Sequence, residues 1–335
     1  MSPTGTGHAP CHHGELLQGV FLDADGRRCA GLVTLPMAGP GSTAEFRRRP
    51  GTPPEALTVV PAGRTKAAGA AALAVAECAR RTGRPPDGGV LRLTGDVPVG
   101  LGMGSSTSDV IAAVRAVAGS YGLRLPPATV ARLAVRAERA CDPLMLDGRP
   151  VLFAQREGRV LEVLGPALPP LVVVGCALGG GAPVDTLSLP APEADEHDVR
   201  ACERLRALLR RAVATGDARL LGEVATASAE RGQRVLRHPE FDALTGVARR
   251  SGAVGVQIAH SGSVAGVLFD PAAPGVRHRV RACLRALNAH RIPATRTFTT
   301  HPFPTEEIPH GPAHRGGDRP ARPRTPRRPA RLPAL

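Results

Sequence analysis

The chain has 335 residues, 42% of them hydrophobic and only 2% aromatic, with a formal net charge of +14. That length suits one large domain or two ordinary ones, and the apolar share is enough to build a core. No apolar run reaches membrane-spanning length and the N-terminus lacks a basic-then-apolar leader, so neither a membrane protein nor a secreted one is expected.

Seven scattered cysteines, an odd number, argue against a disulfide framework and for a reducing cytoplasm. The positive charge raises nucleic-acid binding. Against that, the arginines are spread over the whole chain, and with no Trp and one Tyr there are few platforms for base stacking.

In chain order, residues 1–8 are small and polar and are expected to be disordered. Next comes Ala9-Pro10-Cys11-His12-His13-Gly14-Glu15-Leu16-Leu17-Gln18-Gly19. Its Cys11, His12 and His13 are adjacent, with no second ligand pair, which is poor zinc geometry. Short β-type runs follow at Val20 to Asp25, Arg28 to Leu35 and Ala56 to Val60. Lys66 to Arg80 carries a helical pattern that stops near Gly83-Arg84-Pro85-Pro86. Val90 to Asp96 alternates apolar and polar residues and reads as a strand.

The stretch Pro98-Val99-Gly100-Leu101-Gly102-Met103-Gly104-Ser105-Ser106-Thr107-Ser108-Asp109 then joins that strand to a helix over Val110 to Ser120. Glycines at 100, 102 and 104 let the backbone approach a ligand closely. The free N–H groups and dipole of the following helix favour an anion, and a phosphate fits. Ser106 with Asp109 has the spacing of a capping box. The stretch is neither a Walker A loop nor a Gly-x-Gly-x-x-Gly turn. A tight strand-to-helix connection with no ligand is the alternative at this point.

A third helix, Ala128 to Ala140, runs into Glu138-Arg139-Ala140-Cys141-Asp142-Pro143. These acids suit a divalent ion and an attacking hydroxyl, or else a solvated helix end. A hairpin at Val151 to Gln155 and Val160 to Leu164 precedes a buried strand, Leu171 to Leu178, and a loop from Gly179 to Pro192. Three helices are expected over Val199 to Thr215, Ala218 to Leu236 and Glu240 to Ser251. Gly255 to Phe269 reads strand, turn, strand around His260-Ser261-Gly262-Ser263, where small residues allow close approach. A helix over Val276 to Asn288 and a strand over Ala294 to Phe298 complete the folded part. From Thr300 the chain is rich in Pro, Arg, Gly and His and reads as a disordered tail.

Three of these motifs together resemble those of the GHMP kinases. Pro98 to Thr107 resembles their ATP loop, Pro-x-x-x-Gly-Leu-Gly-Ser-Ser-Ala, with Met103-Gly104 at one loop position and Thr107 for the usual Ala as departures. Pro10 to Gly19 resembles Pro-Ala-Ser-Cys-Gly-Glu-Leu-Ile-Gln-Gly of the L-threonine kinases of cobalamin assembly. Ala259 to Gly266 resembles the Gly-rich third motif of the same group. The acids at 138 and 142 are one residue further apart than in the Glu-Pro-Thr-Asp of those kinases.

The resemblance implies an α+β fold. A ribosomal-S5-like N-terminal domain is expected at 9–165 and a ferredoxin-like C-terminal domain at 166–299, followed by the tail at 300–335. It also implies ATP and Mg²⁺ as cofactors. Pro98, Gly100, Leu101, Gly102, Met103, Gly104, Ser105, Ser106 and Thr107 are expected at the nucleotide. Ser106 and Glu138 would hold Mg²⁺, and Asp142 would orient or deprotonate the acceptor hydroxyl. Glu15, His260, Ser261, Gly262 and Ser263 fall on the substrate side.

Lys66 is the only lysine in the chain and joins the nucleotide set, because its compact ammonium differs from a guanidinium around a phosphate. The expected partners are a small hydroxylated substrate and ATP, with no membrane and no nucleic acid; a homodimer is compatible. Two readings stay open beside the L-threonine one. The first is a related kinase acting on homoserine or another small alcohol; the second is a basic nucleic-acid-binding protein on an S5-like scaffold.

Overall fold

In the computed structural model, residues 4–95, 102–179, 194–259 and 262–300 are described. Expectations for Pro98, Gly100 and Leu101, for His260 and Ser261, for most of the 179–192 loop and for the tail beyond Thr300 fall outside these residues.

The first half is built on two long strands, β1 (Thr4–Leu22) and β2 (Arg28–Arg48), paired antiparallel from Thr4↔Arg47 to Leu22↔Arg28. Strand β3 (Thr58–Val60) leads through helix α1 (Thr65–Thr82) to β4 (Gly89–Gly95). β3 and β4 are parallel, so a crossover is required between them, and α1 supplies it. Helices α2 (Ser105–Ser120) and α3 (Pro127–Glu138) follow, then a short 3-10 turn at Leu144–Leu146 and the hairpin β5 (Val151–Ala154) and β6 (Arg159–Val163).

The second half comprises β7 (Val172–Ala177), α4 (Glu196–Thr215), α5 (Ala218–Gly232), α6 (Phe241–Arg250), β8 (Gly255–Ile258), β9 (Val264–Phe269), α7 (Val276–Ala289) and β10 (Ala294–Thr299). One sheet runs through both halves in the order β10-β7-β9-β8-β1-β2-β4-β3, with β5 and β6 branching from β2. The suggested boundary near 165 falls between β6 and β7.

The expectation that residues 1–8 are disordered is corrected for Thr4 to His8, which are paired in β1. The glycines that suggested disorder are what lets α2 lie directly on this strand. A Cβ on Gly5 would stand 2.2 Å from the Ala116 carbonyl oxygen, and one on Gly7 would stand 2.2 Å from that of Ala112. Around this contact the core is built from small residues, among them Ala70, Ala71 and Ala74 of α1 and Ala112, Ala113 and Ala116 of α2, closed by Phe46, Leu91 and Ile111. Two further cores lie under α4 and α5 and under α6 and α7. Where described, the expected helices start and end within a few residues of prediction, α5 being the shortest relative to it. All seven cysteines are free and buried. No helix among the described residues is long and apolar enough to cross a membrane.

Candidate active site

The site forms where the irregular middle of β1 meets the N-terminus of α2. β1 loses its regular register between Pro10 and Leu17, and at Glu15 it pairs with Ile258 of β8, so this segment bridges the two halves of the sheet. Breaks of this kind re-aim side chains beside functional sites. The His12 N–H donates to the Met103 carbonyl (3.2 Å), which ties β1 to the end of the glycine-rich loop. Gly102, at φ +83, backs onto the third motif, where a Cβ would lie 2.5 Å from Ala259 Cβ and 3.0 Å from Gly262 Cα. Loop and turn are therefore in direct contact, as their glycines require.

Gly104 caps α2 with φ +68, and the first helical bond runs from the Ser108 N–H to Gly104 O (2.8 Å). The N–H groups of Ser105, Ser106 and Thr107 precede that ladder and face the loop end of the helix. The capping box expected of Ser106 and Asp109 does not form. Both side chains have stronger tertiary partners: Ser106 Oγ donates to Glu138 Oε2 (2.9 Å), while Asp109 accepts from Ser42 Oγ (2.6 Å) and pairs with Arg64 (3.0 Å). Ser108 Oγ is likewise committed, donating to Ala9 O and accepting from the Ser42 N–H.

Glu138, the last residue of α3, is buried, and Thr107 Oγ1 donates to its other oxygen (2.8 Å). Its direct partners are thus two hydroxyls, which neutralise no charge. Burial pushes its carboxyl up; the Thr107 and Ser106 hydrogen bonds oppose this, the Asp142 charge adds to it and Lys66 opposes it, leaving the group at about 7. A buried carboxylate beside a hydroxyl, both hard oxygen donors, fits Mg²⁺.

Arg139 then turns the chain in the left-handed conformation. This brings the Asp142 N–H to Thr107 Oγ1 (3.5 Å) and its carboxylate Oδ2 to 3.1 Å from His12 Nε2. His12 is buried, with Nδ1 3.2 Å from the Gly14 carbonyl and 3.8 Å from Glu15 Oε1. Burial lowers its pKa, but the neighbouring Asp142 and Glu15 charges outweigh that and hold it at about 9. His13 behaves oppositely. Burial and the neighbouring His12 lower it to about 3, so it is a neutral ring, bonded at Nδ1 to Gln257 Nε2 (2.8 Å) and tilted against Phe298.

Of the expected site residues, the structure gathers Gly102, Met103, Gly104, Ser105, Ser106, Thr107, Glu138 and Asp142 around the α2 N-terminus. Lys66 stands exposed in the first turn of α1 and acts on Glu138 through space. Glu15 is buried behind His12 rather than open to a substrate, and Ser263 is buried with its carbonyl bonded by the Leu178 N–H (2.7 Å). Sequence reasoning missed His12 as the neighbour of Asp142 and Thr107 as the link between the two acids. The His12 pairing spans 130 positions, and no local signal announces it.

Residues 67–145 match the GHMP kinases N-terminal domain and residues 205–286 the GHMP kinases C-terminal domain. An L-threonine kinase of Citrobacter freundii is 29% identical over 188 residues, covering 52% of this chain and 60% of that one. A homoserine kinase of Moorella thermoacetica is 31% identical over 192 residues, covering 54% and 62%. The chain thus spans less than two thirds of the length of these curated relatives. The crystal structure of a homoserine kinase from Cytophaga hutchinsonii superposes with a TM-score of 0.63 at 17% identity, covering 89% of this chain and 95% of that one. With both domains in order along one chain and their fold around them, this chain belongs to the GHMP kinase family.

Proposed function

We propose that the protein is an ATP-dependent kinase that phosphorylates the hydroxyl of a small molecule, with L-threonine, converted to O-phospho-L-threonine for cobalamin assembly, as the acceptor. The observation that carries the reaction type is the juxtaposition of the α2 N-terminus, the Ser106–Glu138 pair and the Asp142 carboxylate. Phosphoryl transfer passes through a loose transition state, so catalysis is positioning and charge stabilisation more than covalent chemistry.

In this reading the loop ending at Thr107 and the free N–H groups of Ser105 to Thr107 cradle the nucleotide phosphates. Ser106 and Glu138 would hold Mg²⁺, which when bound offsets the charge of the transferring phosphoryl group. Thr107 fixes both acids, through its hydroxyl to Glu138 and through the Asp142 N–H. Asp142 orients the acceptor hydroxyl and takes its proton at a carboxylate oxygen. Lys66 supplies a compact positive charge near the phosphates.

L-Threonine is favoured by the match of Gly14-Glu15-Leu16-Leu17-Gln18-Gly19 to the threonine-kinase pattern and by the L-threonine kinases among the relatives. Homoserine is the second reading, supported by the Moorella thermoacetica relative. The test is ADP release with Mg·ATP across L-threonine, L-serine, L-homoserine and simple alcohols. L-Threonine should give the highest kcat/KM. Asp142→Asn should lower kcat while nucleotide binding persists. No ADP release with any acceptor would refute the reading.

A further inference from the structure

The arginines are spread along the chain, but the acids that offset them are not. Residues 249–299 carry eight arginines and a single acid, Asp270, so this segment alone supplies half of the net charge of +14. Arg249 and Arg250 end α6, and α7 holds four arginines and no acid.

The fold gathers these charges on one outer surface. Val280, Cys283 and Leu287 turn the inner side of α7 toward the core beneath it, which α6 shares. Arg277, Arg281 and Arg285 form an exposed row four residues apart, rising about 6 Å per step. The ends of the two helices meet: Arg250 lies 3.2 Å from His290 Nε2 just beyond α7, and Arg279 donates to the Gly252 carbonyl (3.1 Å) just beyond α6. No residue of the candidate active site belongs to either helix.

Other helices neutralise their arginines locally: Arg81 pairs with Glu77 on α1, Arg200 with Glu196 on α4 and Arg219 with Glu223 on α5. Arg249, Arg281 and Arg285 have no acidic partner among the described residues. Like charges four apart on a helix repel, so the row on α7 weakens the helix rather than supporting it. A polyanion laid along this surface would remove that repulsion.

The chemistry of the surface selects among polyanions. A protein partner needs a desolvated apolar centre, and a membrane surface needs apolar side chains to insert. None of the exposed large hydrophobic residues falls on α6 or α7. Neither helix exposes an aromatic platform on which unpaired bases could stack, which leaves the backbone of a duplex. Duplex DNA carries one charge per about 1.7 Å of axis and binds cations by releasing counterions, with no need of apolar contact.

We propose that the outer surface of α6 and α7, through Arg249, Arg281 and Arg285, binds the phosphate backbone of a nucleic-acid duplex without regard to sequence. This interaction is separate from the kinase reading and does not depend on it.

The test is fluorescence anisotropy of a labelled DNA duplex of about 20 base pairs with the full-length protein, between about 50 and 200 mM salt. Two duplexes of unrelated sequence should bind alike, with affinity falling steeply as salt rises. Each phosphate contact contributes about 0.9 to the slope of log K against log salt, so the triple variant Arg249→Gln, Arg281→Gln, Arg285→Gln should lower that slope by about 2–3. At the lowest salt its binding should be about ten-fold weaker or more. The triple variant Arg200→Gln, Arg204→Gln, Arg219→Gln removes the same charge from exposed positions on α4 and α5 and should leave the slope unchanged. Far-UV circular dichroism checks that both variants are folded. No binding at about 100 µM protein in the lowest salt would overturn the proposal, as would equal losses in the two variants, which would make the effect one of total charge. Equally tight binding to phosphatidylserine vesicles through the same three arginines would assign the surface to membranes instead and would also overturn it.

Discussion

Replacing Gly104 by Ala tests the tightest feature of the site. Gly104 sits at φ +68, where an L-residue costs roughly 1–2 kcal/mol. Its new Cβ would lie 2.4 Å from His12 Cδ2, 2.5 Å from His12 Nε2 and 3.1 Å from Asp142 Oδ2. The ring cannot simply swing away, because it is buried and held through Nδ1 at Gly14. Overpacking at such a point costs about 1–3 kcal/mol more. Gly122→Ala is the matched control: its φ is +72 and nothing lies within 4 Å of the added Cβ, so only the backbone term applies. Urea denaturation of the two variants should show Gly104→Ala less stable than Gly122→Ala by about 1–3 kcal/mol. ADP release by Gly104→Ala should also fall, since His12 and Asp142 must shift together. Equal stability in the two variants would mean that the His12 ring is not held as described.

Further outcomes follow from the same contacts. Lys66→Ala should raise the KM for ATP by about ten-fold, worth about 1.4 kcal/mol, and an unchanged KM would remove Lys66 from the nucleotide site. His12 is held at about 9 in the fold against an ordinary 6.5, so its protonation favours the folded state. That contribution is complete below pH 6.5 and is lost as the pH rises through 9, so His12→Gln should flatten the stability profile in this window. At the C-terminal edge, Thr300 spans both backbone groups of Leu171, its N–H donating to Leu171 O (3.0 Å) and its Oγ1 accepting from the Leu171 N–H (2.9 Å). A chain ending at Phe298 loses these two hydrogen bonds and the Thr299↔Val172 pairing at the end of β10, so it should be less stable than one ending at Thr300 by at least about 1–3 kcal/mol, read by urea denaturation.

The helices of the first half were legible because their signals are local: α1 and α3 show helical periodicity, a proline opens α3 at Pro127, and the glycine-rich loop ends where α2 begins. The acids at 138 and 142 were legible by motif. The strand over Thr4 to His8 was not, because alternating glycines carry no apolar signal, and their purpose shows only when the backbone of α2 arrives. The extent of β2 was missed for a related reason. Pro36, Gly39, Pro40 and Gly41 read as breakers, yet they lie within the strand where β1 is also irregular. The capping box failed because Ser106 and Asp109 found partners 32 and 67 positions away, which local spacing cannot register.

The extra residue between the two acids has a structural answer at Arg139. The residue ends α3 at φ +68, with its N–H still bonded to Val135 O (2.7 Å), and from there the chain turns so that Asp142 faces His12 instead of continuing along the helix. The two acids thereby enter different surroundings: Glu138 meets the hydroxyls of Thr107 and Ser106, while Asp142 meets an imidazole. Divergent environments for neighbouring carboxyls are how one site assigns them different tasks. The left-handed turn is achieved with a side chain that gains nothing evident from it, since Arg139 is exposed. Glycine is the usual residue at this helix-ending position. Arg139→Gly should thus relieve roughly 1–2 kcal/mol of backbone strain, less the greater freedom glycine gives the unfolded chain, for a net gain of up to about 1 kcal/mol. Thermal melting of the variant gives the sign, and ADP release should be unchanged because the direction of the turn is retained. A lower melting temperature would show that the Arg139 side chain contributes more than the strain it imposes.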